Sequence, residues 1–432
     1  MKVNKVCVVG LGYVGLPLAC LLAKKGFETF GLEKDERKVN LINQGELPFK
    51  GREPGLRELL LEVVTNGRLV AGNNPEVLTH ADAVFICVDT PINDNRMPDT
   101  SSLESAIADV ARRLRRDVLV CVESTLPPKT MNKKIIPILE ALSDFRLGKD
   151  FYVVYSPERI MPGNAIESLL KNPRIIGSND TDSSSIAVEL YSSIVEAPIY
   201  TTDFLTAEIV KTVENAYRDV QIAFANEIAL ACEELGADVY EVRRLVNTSP
   251  HRSMHLPGSG VGGHCLTKDP WLLISSLEEN SPRLIPTARS INNSMPKHLA
   301  ALAIEALSEA GVEFDKAKIT IFGLAFRGDI GDARNSPAFD VIDALANAGE
   351  LIVHDPYADP IDRITFTRNV DDALIGSDCA IFVADHTEYA RFDLERMSAL
   401  MKTRIIVDGR NLFDARECRR KGFIYKGIGK GK

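Results

Sequence analysis

The chain has 432 residues, too many for one ordinary core and enough for several domains at roughly 150 residues each. An apolar fraction of 45% beside a charged fraction of 26% suits several buried cores and argues against wholesale disorder. Fifty-one basic against sixty acidic residues leave a formal charge of −9, which argues against a general nucleic-acid surface; any anionic ligand must be held by local basic groups.

The opening MKVNKVCVVGLGYVGLPLACLLAKKG is apolar, but glycines and a proline interrupt it before it could span a bilayer or act as a signal peptide. Residues 5–10 form a β-branched run, GLGYVGLPLACLLAKKG switches to helical spacing, and ETFGLEKD reads as a second strand, which makes a βαβ unit. Strands are expected at 83–88, 117–123 and 151–155, with helix such as 102–115 between them; this rhythm predicts a parallel, doubly wound sheet. From about 201, TAEIVKTVENAYRDVQIAFANEIALACEELG keeps helical periodicity without a strong breaker and predicts one long helix. Further helix is expected at 239–247, 269–279 and 287–310, either side of a glycine-rich loop at 258–263. After Lys318 the α/β rhythm returns in KITIFGLAF, ELIVHDP, DCAIFVAD and RIIVDGRN, a second parallel sheet, and the tail KGIGKGK is expected to fray. The fold class is therefore α/β: a Rossmann domain over 1–200, a helical domain over 201–310 and a second Rossmann-like domain over 311–432. The eight cysteines, at 7, 20, 87, 121, 232, 265, 379 and 418, include no CxxC pair, so neither a disulfide framework nor a metal cluster is expected, and a cytoplasmic, reducing home is.

Three segments carry chemistry. Gly10-Leu11-Gly12-Tyr13-Val14-Gly15 sits between strand and helix: Gly10 permits the tight turn, Gly12 admits a pyrophosphate, and Gly15 lets helix and strand approach. Glu33, at the end of the second strand, can accept from a ribose diol and would repel a 2′-phosphate, so NAD is favoured over NADP. The bland alternative is a chance glycine turn with a solvated glutamate. In GSGVGGHCLTKDP, four glycines precede Cys265 and then Asp269; glycines bring backbone N–H groups close to a sugar or diphosphate, and Cys265 lies in a polar loop where the other seven thiols read as small hydrophobes. On the long helix Lys211, Asn215 and Arg218 fall at i, i+4 and i+7, on one face, which is equally the spacing of a solvated charged face.

Taken together, GLGYVGLP, Val88-Asp-Thr-Pro91, Glu123-Ser-Thr-Leu-Pro127, Ser156-Pro-Glu-Arg-Ile160, the Lys211/Asn215 helix, GVGGHC with Asp269, and GLAFRGDIGDARNSPA resemble the nucleotide-sugar 6-dehydrogenases over nearly the whole chain and in the right order. SPERIMPG, YRDVQIAFANE and GVGGHCLTKDPW resemble the branch that acts on N-acetylhexosamines. The resemblance implies a four-electron, NAD-dependent and metal-free oxidation of a UDP-sugar C6 alcohol to the carboxylate, with UDP-N-acetylmannosamine as substrate and UDP-N-acetylglucosamine or UDP-glucose as alternatives. It implies catalytic roles for Cys265, Lys211, Asn215, Asp269, Glu158 and Thr125. Cofactor contacts fall to Gly10, Gly12, Tyr13, Val14, Gly15, Glu33, Lys38, Thr90, Thr125 and Arg334. Substrate contacts fall to Arg159, Ile160, Lys211, Asn215, Arg218, Gly262, Phe326, Arg327 and Arg334, with Arg252 and His255 in a region that reaches the neighbouring subunit's substrate. It also implies a homodimer or larger homo-oligomer, the last domain binding UDP, and no nucleic-acid or membrane partner. Three positions depart from the family's usual pattern: Glu33 where aspartate is commoner, Arg327 where lysine is, and Asn335 where glutamate is. A two-electron β-hydroxyacid dehydrogenase would need neither Cys265 nor a second α/β domain; an idle nucleotide-sugar sensor would have no need of Lys211, Asn215, Cys265 and Asp269 together.

Overall fold

The structure, a computed structural model, describes residues 2–279, 282–362 and 364–431. The chain forms two compact units, Met1–Glu214 with Lys268–Ser281, and Asn215–Thr267 with Pro282–Lys432.

The first unit is built on eight strands: β1 (Lys5–Val9), β2 (Glu28–Leu32), β3 (Leu69–Gly72), β4 (Ala83–Ile86), β5 (Leu119–Val122), β6 (Tyr152–Tyr155), β7 (Arg174–Gly177) and β8 (Ile199–Thr202). They lie in the order β3-β2-β1-β4-β5-β6-β7-β8. The central strands KVCVV, AVFI and LVCV read as continuous apolar runs because both faces are covered. Val6 and Val8 of β1 join the core that holds helix Gly15–Lys24, whereas Cys7 and Val9 join the core that holds helix Ser101–Arg113. Strand order reverses between β1 and β4, and the crevice at their carboxyl ends is the position where such sheets bind ligands.

The sheet is not parallel throughout. β7 runs antiparallel to β6, with Tyr155 opposite Gly177, and β8 is parallel to β7. A parallel neighbour requires a crossover that carries the chain back along the sheet, usually on a helix. Here the connection opens with the loop of residues 156–164 and its one helix, Ala165–Lys171, has seven residues, so the chain re-enters the sheet running the other way.

The chain passes into the second unit along the helix Phe204–Leu235, whose 32 residues span about 48 Å at the usual rise. The second unit holds six strands, β9 (Lys318–Phe322), β10 (Glu350–His354), β11 (Thr365–Thr367), β12 (Cys379–Phe382), β13 (Ile405–Asp408) and β14 (Ile424–Gly427). Their order is β11-β10-β9-β12-β13-β14, and every pairing is parallel. Helix Leu284–Glu309 buries Ala288, Asn292, Met295, Leu299, Ala303 and Ala306, an i, i+3/i+4 stripe. The helix expected over 269–279 stops at Ser275 and belongs to the first unit.

The tail does not fray. β14 takes Ile424–Gly427, Ile428 is buried, Val239 N–H donates to Gly429 O at 2.9 Å, and Gly431 N–H donates to Ala237 O at 2.8 Å. At Gly429 φ is +71° and a Cβ would stand 2.1 Å from Val239 Cγ1, so the glycines that read as flexible are what lets the chain lie against the end of the long helix. Lys432 lies outside the described residues. Among the described residues no helix is long and apolar enough to cross a membrane.

Candidate active site

In the first unit, β1 runs into the glycine turn. Gly10 has φ +88°, and a Cβ there would come 2.8 Å from Cys87 O; a Cβ on Gly15 would lie 1.9 Å from Gly10 O, while one on Gly12 would meet nothing within 4 Å. The turn is thus closed where it packs on its own helix and open at Gly12. Glu33, buried at the end of β2, accepts from Leu11 N–H at 3.0 Å and Asp35 N–H at 3.1 Å. Lys38 lies half-buried on helix Glu36–Asn43, Val14 is half-buried before the first turn of its helix, and the Tyr13 ring stacks on Phe49 at 4.2 Å. An open glycine cradle at a helix N-terminus, with a carboxylate beside it, fits the pyrophosphate and ribose of a dinucleotide.

Across the switch point, Thr90 Oγ1 donates to Thr125 O at 2.7 Å. Lys268 Nζ donates to Thr90 Oγ1 at 3.2 Å and stands 3.2 Å from Asp269 Oδ1. All four of these residues are buried. Asp269 opens helix Asp269–Ser275, where a carboxylate meets the positive end of the helix dipole.

The loop after β6 holds a second charged pair. Lys211 Nζ donates to Glu158 O at 2.6 Å and to Glu158 Oε1 at 3.1 Å, and Ile160 N–H donates to Glu158 Oε2 at 2.6 Å; lysine and glutamate are 5% and 7% exposed. A buried pair of this kind persists only when both ions are further hydrogen-bonded. Arg159 turns away from it and is bound to both oxygens of Glu214 and to Pro173 O. Beneath the loop, Glu123 at the end of β5 is fully buried against Arg174 and Tyr191, and Arg174 Nε donates to Ser156 Oγ at 3.0 Å. Burial pushes the Glu123 carboxyl up and Arg174 opposes it. This network ties the loops that carry Thr125 and Glu158.

The second unit carries the thiol. Residues 258–263 thread a tight cradle: a Cβ on Gly262 would lie 2.7 Å from Phe326 Cβ, and one on Gly263, at φ +84°, 2.9 Å from the Phe326 ring. Gly258 N–H donates to Asn226 Oδ1 at 2.9 Å, Asn226 Nδ2 to Asn292 Oδ1 at 2.9 Å, and Asn292 Nδ2 to Asp219 Oδ1 at 2.8 Å, which also receives Arg289 at 2.6 Å. Cys265 is half-buried at the end of this loop. The other seven thiols are pushed above their ordinary range by burial, Cys7 and Cys418 to about 12 and Cys20, Cys87, Cys121 and Cys379 further still, as befits small hydrophobes at the core. Asn215 is half-buried and Arg218 exposed on the long helix; burial and the charge of Arg327 lower the Arg218 pKa. Burial, then Arg218 and Arg243, pulls His255 below its ordinary value, and Arg252 is exposed. Arg218 thus lies within electrostatic reach of both Arg327 and His255.

The turn after β9, Gly323-Leu-Ala-Phe-Arg-Gly328, presents Phe326 and Arg327. It repeats the device seen at Glu33, since Asp355 at the end of β10 accepts from Leu324 N–H at 2.7 Å and Ala325 N–H at 2.9 Å. Asp355 is fully buried and also receives His386 Nε2 at 3.1 Å; His386 Nδ1 accepts from Asp329 N–H at 2.9 Å, so the ring is the Nε2–H tautomer. Arg334 folds its guanidinium onto Asp332, with Nη2 at 2.6 Å from Oδ2.

Two side chains missed from sequence stand in these places. Lys268 was legible only as the neighbour of Asp269. Arg410, in the DGRN that follows β13, donates from Nε to Val383 O at 2.7 Å, and its Nη1 lies 2.9 Å from where a Gly258 Cβ would be.

Two open α/β sheets with a nucleotide-type turn at each switch point, and a thiol in a glycine loop, define a nucleotide-dependent oxidoreductase. Residues 4–195, 205–294 and 320–415 match in turn the NAD-binding, central and UDP-binding domains of the UDP-glucose/GDP-mannose dehydrogenase family, and the chain belongs to that family. It is an NAD-dependent nucleotide-sugar dehydrogenase. It is 39% identical to the UDP-N-acetyl-D-mannosamine dehydrogenase of Methanococcus aeolicus, over 100% of this chain and 96% of that protein. A solved UDP-D-ManNAc dehydrogenase from Pyrococcus horikoshii matches with a TM-score of 0.92 and 39% identity, covering 99% of each chain. A UDP-glucose dehydrogenase from Pyrobaculum islandicum matches with a TM-score of 0.86 and 27% identity, over 99% of this chain and 98% of that one.

Proposed function

We propose that the chain oxidises the C6 alcohol of UDP-N-acetylmannosamine to the carboxylate of UDP-N-acetylmannosaminuronate, through a covalent adduct on Cys265. NAD would be held by the turn Gly10–Gly15, Tyr13, Val14, Glu33, Lys38, Thr90, Thr125 and Arg334, and when bound it supplies a hydride acceptor. A water held by Asp269 takes the alcohol proton as the first two electrons leave, and Lys211 and Asn215 stabilise the oxyanion. The Cys265 thiolate adds to the aldehyde carbon and the carbonyl oxygen takes up a proton to give a thiohemiacetal; loss of that proton and of a second hydride, for which a second NAD would supply the acceptor, leaves a thioester. Water positioned by Glu158 and Thr125 hydrolyses it, returning the thiol and releasing the acid. The covalent link keeps the aldehyde from diffusing away between the two oxidations. Arg159, Ile160, Arg218, Arg252, His255, Gly262, Phe326, Arg327 and Arg334 are assigned to the substrate; mutually repelling guanidinium groups such as Arg218 and Arg327 suit a diphosphate.

The observation that carries this reading is the placing of the thiols: six are buried, Cys87 is half-buried against the core of the first unit, and Cys265, also half-buried, ends the glycine loop. The Pyrobaculum likeness makes UDP-glucose the second candidate substrate. Incubation of UDP-N-acetylmannosamine, UDP-N-acetylglucosamine and UDP-glucose with NAD decides between them: the true substrate yields two NADH per carboxylate, and a single NADH with an aldehyde product contradicts the reading.

The division into residues 1–200, 201–310 and 311–432, the cytoplasmic location and a homodimer belong to the same proposal. Leu205, Ile209, Val213, Tyr217 and Phe224 lie exposed along the long helix, near i, i+4 spacing, with Tyr217 at 64%. A stripe of that length suits a second copy of the same helix. Light scattering on the eluting protein tests it, a monomer mass being the contrary result.

A further inference from the structure

Asn335 departs from the glutamate that the sequence resemblance implies, and its surroundings account for the amide. Gly263 N–H donates to Arg334 O at 3.0 Å. Asn335 Nδ2 donates to Gly263 O at 3.2 Å and to Thr267 Oγ1 at 3.3 Å, and Thr267 Oγ1 donates to Gly263 O at 2.6 Å. The three bonds close both ends of the turn Gly263-His-Cys265-Leu-Thr267. Because Gly263 O can only accept, the side chain facing it must present N–H, which no carboxylate does at neutral pH. The backbone agrees: Asn335 has φ +50°, the left-handed region that asparagine tolerates better than glutamate. Two neighbours hold the staple itself in place. Asn335 O lies 2.5 Å from where a Gly262 Cβ would be, and Ser336 caps helix Pro337–Ala344 by accepting from Ala338 N–H at 3.2 Å.

We propose that Asn335 is a positioning residue for the nucleophile, fixing the turn that carries Cys265 through its amide donor; the proposal rests on the reading of Cys265 as that nucleophile. The test compares Asn335→Asp, which keeps the size and the left-handed tolerance but replaces the donor with an acceptor, and Asn335→Gly, which relieves the backbone and removes the donor. In the full-length enzyme both lower kcat for acid formation by about ten- to a hundredfold, the range expected of a displaced reacting group. KM for NAD stays within about twofold, because the first-unit turn is untouched. The pH midpoint of Cys265 alkylation by iodoacetamide, read by peptide mass, moves in both. Thr267→Val removes the other end of the staple and lowers kcat likewise, and it serves if an Asn335 variant fails to fold. Combined with Asn335→Gly it adds little, since both break one unit. Parental kcat and alkylation profile in Asn335→Gly or in Thr267→Val overturn the proposal. Cys265→Ser separates the two readings: acid formation in that variant removes the nucleophile, whereas a dead Cys265→Ser beside a fully active Asn335→Gly removes only the positioning role.

Discussion

Lys211 and Glu158 hold one another within the fold, and the proposed mechanism gives each a chemical role as well. The lysine is nearly buried and donates twice to the glutamate that the proposed mechanism asks to position water. Lys211→Met keeps the length of the side chain and removes the charge. With Lys211 in its proposed role, kcat falls by about a hundredfold or more, the usual cost of losing one fixed oxyanion donor in a dry site. The substitution also lowers thermal stability, because Glu158 keeps its burial and loses its cation. Steady-state kinetics and a melting curve on the same preparation check both; an unchanged kcat contradicts the role. At this scale the sequence showed Lys211, Glu158, Thr125 and Asp269 through their motifs, yet not their pairing. Nothing in the spacing of Lys268 or Asn335 announces a partner, because Thr90 and Gly263 lie 178 and 72 residues away along the chain.

The helices owe their positions to polar groups in the interior as much as to apolar stripes. The long helix meets helix Leu284–Glu309 through Asp219, Asn226, Arg289 and Asn292, all buried, and the chain of amides ends on Gly258 N–H in the thiol loop. Among the described residues, Asp219 Oδ2 has no hydrogen-bond partner. Asn226→Ala would leave Gly258 N–H and Asn292 Oδ1 without partners as well, a loss of about 1–3 kcal/mol. A lowered melting temperature is the expected result, and an unchanged one would show that water replaces the amide. Periodicity made the helices and most strands legible, since an apolar period survives without its context. The reversal at β7 and the docked tail were not legible, because each depends on what the chain meets: a seven-residue helix too short to cross the sheet, and a Val239 side chain that only glycine can approach.

Across the molecule, the two sheets use one architecture for different ends. Each has an acidic residue at the end of its second strand gripping the turn after its first, but Glu33 keeps 7% of its surface and Asp355 none, being closed over by His386. The second sheet also buries His354, which burial pulls down to about 4 from 6.5. The folded pKa lies below the unfolded one, so this stability is complete above pH 6.5 and is lost as pH falls from 6.5 towards 4. The full loss is about 3 kcal/mol. His354→Gln removes the titration, and its melting temperature should fall less than the parent's between those limits; parallel curves would refute the assignment.

Covalent catalysis turns on the sulfur of Cys265. Its most direct measurement is carboxylate formation by Cys265→Ser with UDP-N-acetylmannosamine and NAD, quantified by mass spectrometry beside NADH absorbance. Serine is a far poorer nucleophile and leaving group near neutrality, so no acid above background is expected. Acid produced at the parental rate would contradict covalent catalysis.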